Sequence, residues 1–137
     1  MPRIRSDFPS DGSDDARRLP EWQLTGAIIG AFYDVYNDLK YGLLERLYGA
    51  AMEIVLDERG FRVAREVSFD VVFHGRTIGV YRADFVVDGR VVVEIKTGAV
   101  LVPASRAQLM NYLRISRVRV GLLLFFGPEP SFKRVVF

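Results

Sequence analysis

The chain has 137 residues, half of them hydrophobic, which is enough for one domain with a buried core. It has no cysteine and a single histidine, His74, which excludes disulfides, thiol nucleophiles, cysteine zinc sites and iron–sulfur clusters, and argues against Ser-His-Asp chemistry and multi-histidine metal sites. The net charge of +2 hides an asymmetry: residues 21–96 carry 12 acidic and 9 basic side chains, whereas residues 97–137 carry 1 and 6.

Residues 1–20 hold Ser, Asp, Pro, Gly and four arginines without periodicity, and read as a disordered arm. Their charges cancel, so this is not a basic nucleic-acid tail. There is no apolar signal-peptide core there. The longest apolar or glycine run, residues 120–127, is far short of the ~20 residues of a membrane span. The cysteine-free composition suits a reducing cytoplasm, which is the expected location.

Pro20 opens a helical pattern over residues 21–38, with Leu24, Ile28, Ala31, Phe32, Val35, Tyr36 and Leu39 at helical spacing. Gly26 and Gly30 form a GxxxG pair, which predicts close packing against a neighbour. Lys40, Tyr41 and Gly42 break the pattern. A second helix is predicted over residues 43–59 and closed by Gly60, with Leu44, Leu47, Ala51, Ile54 and Val55 as its apolar stripe. Glu45, Tyr48 and Met52 share an adjoining face. Glu45 in the first turn also complements the helix dipole.

Three strands follow. Residues 61–74 alternate Val67, Phe69, Val71 and Phe73 with Glu66, Ser68 and Asp70, the pattern of a half-buried strand. His74-Gly75-Arg76 turns the chain, residues 77–87 form the second strand, and residues 90–96 form the third. Within this last hairpin, Asp84, Glu94 and Lys96 interrupt an apolar, β-branched run. Burying unpaired charges is costly, so such residues need partners, a cation or water beside them. Two readings fit: a salt-bridge cluster on a solvated sheet face, or a hard-cation site that activates water. Register decides between them. A two-residue Asp88-Gly89 loop would put Asp84 and Glu94 on opposite faces, whereas an odd loop or a bulge puts them on one. A site therefore requires the odd loop, against the local preference of Asp-Gly.

Pro103 can begin a third helix reaching about Ile115. Gln108 and Tyr112 share one of its faces. Arg106, Arg114 and Arg117 would form one stripe if that helix continued to Arg117, suited to phosphates, although arginine-rich surface alone gives the same count. Residues 118–126 are a strongly apolar strand, expected in the interior of the sheet, and residues 132–137 a last short one. The interleaved periods predict one α/β domain over residues 21–137, with a mixed sheet of about five strands flanked by helices.

The ordered set of Gly42, Glu45 and Tyr48, then Arg82-Ala83-Asp84, then Glu94-Ile95-Lys96, then Gln108 and Tyr112, resembles the GxxExxY proteins of the PD-(D/E)XK nuclease superfamily, close to its RecB-like branch. The resemblance covers residues 24–137. Ala83 stands where the superfamily's name has proline, while the acidic and lysine positions are intact. It implies the restriction-endonuclease-like fold. It implies that Asp84, Glu94 and the Ile95 carbonyl hold Mg²⁺ or Mn²⁺, with Glu45 a direct or water-mediated ligand. Lys96 would orient the attacking water or neutralise developing charge. Gln108 and Tyr112, with Tyr48 of the naming motif, would line the cleft and place the nucleic acid. Arg82 would pair with a site carboxylate, or else touch phosphate. The activity implied is metal-dependent hydrolysis of nucleic-acid phosphodiester bonds, with DNA as the expected substrate. The alternatives are an inactive nucleic-acid-binding or structural module, and a subunit active only in a larger complex. Oligomeric state stays open, a homodimer included.

Overall fold

The computed structural model describes residues 21–137; the arm expected over residues 1–20 lies outside them. Two helices come first, α1 (Trp22–Leu39) and α2 (Glu45–Glu58). They are followed by β1 (Val63–Phe73), β2 (Arg76–Val87), β3 (Val91–Thr97), α3 (Ala104–Ser116), β4 (Val120–Phe126) and β5 (Pro130–Val136). The five strands form one sheet in the order β1-β2-β3-β4-β5. The β3–β4 pair is parallel and the others are antiparallel. This is the mixed five-stranded sheet with flanking helices that the periodicity predicts.

Helices α1 and α2 cover one face. Ile28, Phe32, Tyr48, Met52 and Leu56 pack there on Phe85, Val93, Ile95, Leu122, Leu124 and Phe126. Helix α3 covers the other, through Leu109 and Leu113 against Val92, Leu123 and Val135. Gly121 permits that approach, since a side-chain carbon there would stand 3.1 Å from both leucines. All seven residues of β4 are buried, which its apolar run on both faces requires.

Two helical expectations are corrected. Gly26 and Gly30 have no atom within 4 Å of where a side-chain carbon would stand, so the GxxxG pair makes no close contact. Of the stripe predicted for α2, Ala51 and Val55 pack against the core, whereas Leu47, Ile54 and the preceding Leu44 are exposed, and the fully buried residues are Tyr48, Gly49, Met52 and Leu56. The face turned to the sheet is thus centred on the Tyr48–Met52 side of the predicted stripe.

The β2–β3 loop settles the register. Asp88 and Gly89 both have left-handed φ, 53° and 68°, and the Arg90 amide donates to the Val87 carbonyl at 2.9 Å, as in a type I′ turn. The ladder nonetheless pairs Val87 with Val91, Val86 with Val92 and Phe85 with Val93. Arg90 is thus an extra residue after an otherwise ordinary Asp-Gly turn. Turn preference and the odd register are both satisfied, and the same register carried one step further sets Asp84 opposite Glu94.

Candidate active site

The β1–β2 ribbon is irregular at the row where that pair falls. Val63, Phe85 and Val87 belong to the core under α1 and α2, whereas Val67, Phe69, Val71, Tyr81 and Ala83 belong to the core under α3. The inward side of the ribbon changes layer between them. Glu66 sits at this crossing with φ of 53°, and the ladder skips the Glu66–Asp84 row while pairing Arg65 with Phe85 and Val67 with Ala83. Left-handed backbone is costly for glutamate and persists only where its surroundings impose it.

Beyond Phe85 and Val93, β2 and β3 stop pairing, and side chains replace the ladder. The Ile95 amide donates to Asp84 Oδ2 at 2.6 Å. The Asp84 amide in turn favours the charged form of the Glu94 carboxylate. The Tyr81 hydroxyl donates to Glu94 Oε2. The Tyr81 ring lies between Phe69, with centroids 5.9 Å apart, and Tyr112 of α3, at 3.8 Å and nearly parallel. Asp84 opens onto a cleft of about 230 Å³ that is also lined by Glu45, Arg46, Gly49, Arg65, Glu66 and Ile95.

Both carboxyls are held above their ordinary range. Burial is the main cause for Asp84, eased by the Ile95 amide and by the charges of Lys96 and Arg65. Glu94 is pushed up to about 7 by burial and then by the Asp84 charge, against the Tyr81 bond, the Asp84 amide and Lys96. Burial and the adjacent Glu94 raise the Tyr81 hydroxyl, so it remains a donor.

Of the site residues expected from sequence, Asp84, Glu94, Ile95 and Lys96 come together, Glu45 and Asp84 line one cleft, and Tyr112 reaches Glu94 through Tyr81. Gln108 is exposed on α3. The others fall elsewhere. Tyr48 has no exposed surface. It stacks on Phe126 at 4.0 Å, and its hydroxyl donates to the Lys40 carbonyl and accepts from the Leu43 amide, so it closes the α1–α2 connection and cannot touch a substrate. Arg82 is exposed opposite Ser68 and makes no ion pair among the described residues, because the ribbon changes layer between it and the carboxylates. The arginine stripe does not form: α3 ends at Ser116 and Arg117 caps it in left-handed conformation. Arg117 lines a hollow with Gly89 and Arg90, Arg114 lies over the Phe137 ring at 5.8 Å, and Arg106 lines a separate pocket with Ser131 and Lys133.

Sequence reading missed two residues. Tyr81 carries a hydroxyl into an apolar strand three residues before Asp84, and such a hydroxyl needs a partner. Arg65 places a charge at an inward position of the alternating β1 pattern.

The donor set fits a hard divalent cation. Asp84, Glu94 and the Ile95 carbonyl offer oxygen only, and a cation would offset the like charge that holds both carboxyls up. Among the described residues no group of three or more Asp, Glu, His or Cys side chains is arranged to hold a metal, while Glu45 lines the same cleft as Asp84, the placement of a water-mediated ligand. Mg²⁺ needs only one or two protein carboxylates, completing its shell with water and substrate phosphate.

No helix among the described residues is long and apolar enough to cross a membrane. No curated protein matches the chain. A solved structure, that of SSO0001, is similar at 24% identity and a TM-score of 0.51, over 66% of this chain and 50% of its own, so this chain spans about half the length of that relative. The model of the PD-(D/E)XK nuclease superfamily matches residues 22–135, nearly all of what the structure describes. With the mixed sheet and the Asp84–Glu94–Lys96 arrangement already in view, the chain belongs to the PD-(D/E)XK nuclease superfamily.

Proposed function

We propose that this protein is a divalent-metal-dependent nuclease that hydrolyses phosphodiester bonds of nucleic acid, with DNA as its substrate. Gly42, Glu45 and Tyr48 support assigning it to the GxxExxY group. The observation that carries the reading is the pairing of Asp84 with Glu94 beside Lys96, in a superfamily of nucleases. Asp84, Glu94 and the Ile95 carbonyl would hold Mg²⁺ or Mn²⁺, with Glu45 acting through water. The bound cation supplies a water of lowered pKa and stabilises charge on the phosphate. Lys96 is near enough to act on both carboxylates, and orients the attacking water or offsets the charge that develops. Tyr81 fixes the Glu94 rotamer, and Tyr112 fixes Tyr81.

One other reading is an inert nucleic-acid-binding module of the same fold. Incubating the purified protein with linear, circular and single-stranded DNA in Mg²⁺ or Mn²⁺ separates the two. Cleavage that is lost in Glu94→Ala and Lys96→Ala supports the nuclease. DNA binding without metal-dependent cleavage supports the module.

A further inference from the structure

Arg65 approaches the cleft from β1, one residue before the irregular row at Glu66. Its guanidinium is held on two sides. Gly49 of α2 forms the floor, where a side-chain carbon would stand 3.2 Å from Nη2. Glu53, one turn along the same helix, accepts from Nη1 at 3.1 Å. Nε is buried and has no hydrogen-bond partner among the described residues. The third side is the cleft itself, which Arg65 lines together with Asp84.

An arginine needed only to neutralise Asp84 would close a forked pair with it, the strong geometry for that combination. No such pair forms. The ion pair of Arg65 is with Glu53, and Asp84 spends Oδ2 on the Ile95 amide. Nη2 therefore remains uncommitted beside the carboxylate cluster, on a guanidinium that two contacts from one helix keep in place, while the buried Nε has no partner of its own. A planar fork with spare donors suits a phosphate oxygen better than a point charge does.

We propose that Arg65 is a phosphate-binding residue of this cleft, taking a non-bridging oxygen of the phosphodiester that lies against Asp84 and Glu94. Gly49 and Glu53 are its positioning residues. This rests on the nuclease reading and adds to it the residue that seats the scissile phosphate.

The test is duplex DNA binding by fluorescence anisotropy from 50 to 200 mM salt, with Ca²⁺ in place of Mg²⁺, followed by steady-state cleavage in Mg²⁺. One lost phosphate contact lowers the slope of log K on log salt by about 0.9. Arg65→Met should show that smaller slope, and a kcat/KM lower by roughly 10- to 100-fold, the loss of one charged hydrogen bond. Where Arg65→Met does not fold, Arg65→Gln takes its place with the same expectation. A purely structural Arg65 would lower the melting temperature and leave the slope unmoved. An unchanged slope and kcat/KM in a variant, with wild type binding and cleaving, overturns the inference and leaves the nuclease reading standing. A wild type that neither binds nor cleaves overturns both.

Discussion

The carboxylate of Asp84 accepts the main-chain amide of Ile95 at 2.6 Å, at the point where β2 and β3 cease to pair. The side chain thus stands in for a carbonyl of the missing ladder, and Asp84 serves the fold as well as the site. The two roles separate by substitution. Asp84→Asn keeps an acceptor for the amide and should melt within a few degrees of wild type, with cleavage abolished. Asp84→Ala leaves a part-buried amide unsatisfied and should be destabilised by about 1–3 kcal/mol. Thermal melts of both variants beside cleavage assays check this, and equal melting temperatures for Asn and Ala would show that the bond contributes nothing.

Glu94 makes the metal-free protein sensitive to pH in a fixed direction. Its pKa rises from 4.5 to about 7 on folding, so between those values the folded state binds more protons than the unfolded. Its contribution is fully present below pH ~4.5 and is lost as pH rises through about 7. At pH 8 without metal, Glu94→Gln should therefore be more stable than wild type, by on the order of 3 kcal/mol. Mn²⁺ should narrow that gap by stabilising wild type alone. Urea melts at pH 5 and pH 8, with and without Mn²⁺, read this directly. A Gln variant less stable than wild type at pH 8 would contradict it.

Asp84, Glu94 and Lys96 were legible in the sequence because charge in an apolar β-branched strand is expensive and calls for a reason. The odd register was legible as a requirement, and an odd loop was one of the two ways named to meet it. What turn preference did not show is that the Asp-Gly turn stays intact, with Arg90 added after it. Tyr48 was misread because the spacing from Glu45 puts both on one helix face, while the partners of its hydroxyl, Lys40 and Leu43, lie in a connection whose path spacing does not describe. Arg82 does not pair with a site carboxylate as expected, because alternation assumes a regular strand and β2 changes layer at Asp84.

Arg114 and Arg117 lie at the hairpin end of the sheet, one over Phe137 and the other beside Gly89 and Arg90. Replacing both with alanine should leave kcat/KM within about two-fold of wild type at moderate salt, because charges beyond a Debye length of roughly 10 Å are largely screened. Cleavage kinetics at 100 mM salt test it. A ten-fold loss would mean that the substrate extends across α3.

Tyr81 links the aromatic stack to the chemistry. Its bond to Glu94 favours the charged carboxylate, and burial with the Glu94 charge keeps its own hydroxyl protonated, so it donates throughout the working range. Tyr81→Phe keeps the ring between Phe69 and Tyr112 but removes the donor. The Glu94 pKa should then rise above about 7, and Mn²⁺ binding, which needs the ionised carboxylate, should set in at higher pH. One lost hydrogen bond of about 1 kcal/mol corresponds to a midpoint shift of somewhat under one pH unit. Tyr112→Ala should move the midpoint in the same direction by less, since it loosens Tyr81 without deleting the bond. Calorimetric Mn²⁺ affinity measured from pH 6 to pH 9 resolves both shifts. A Tyr81→Phe midpoint equal to that of wild type would show that the tyrosine holds the strand and not the carboxylate, and a Tyr112→Ala shift larger than that of Tyr81→Phe would mean that α3 acts on Glu94 by a route other than Tyr81.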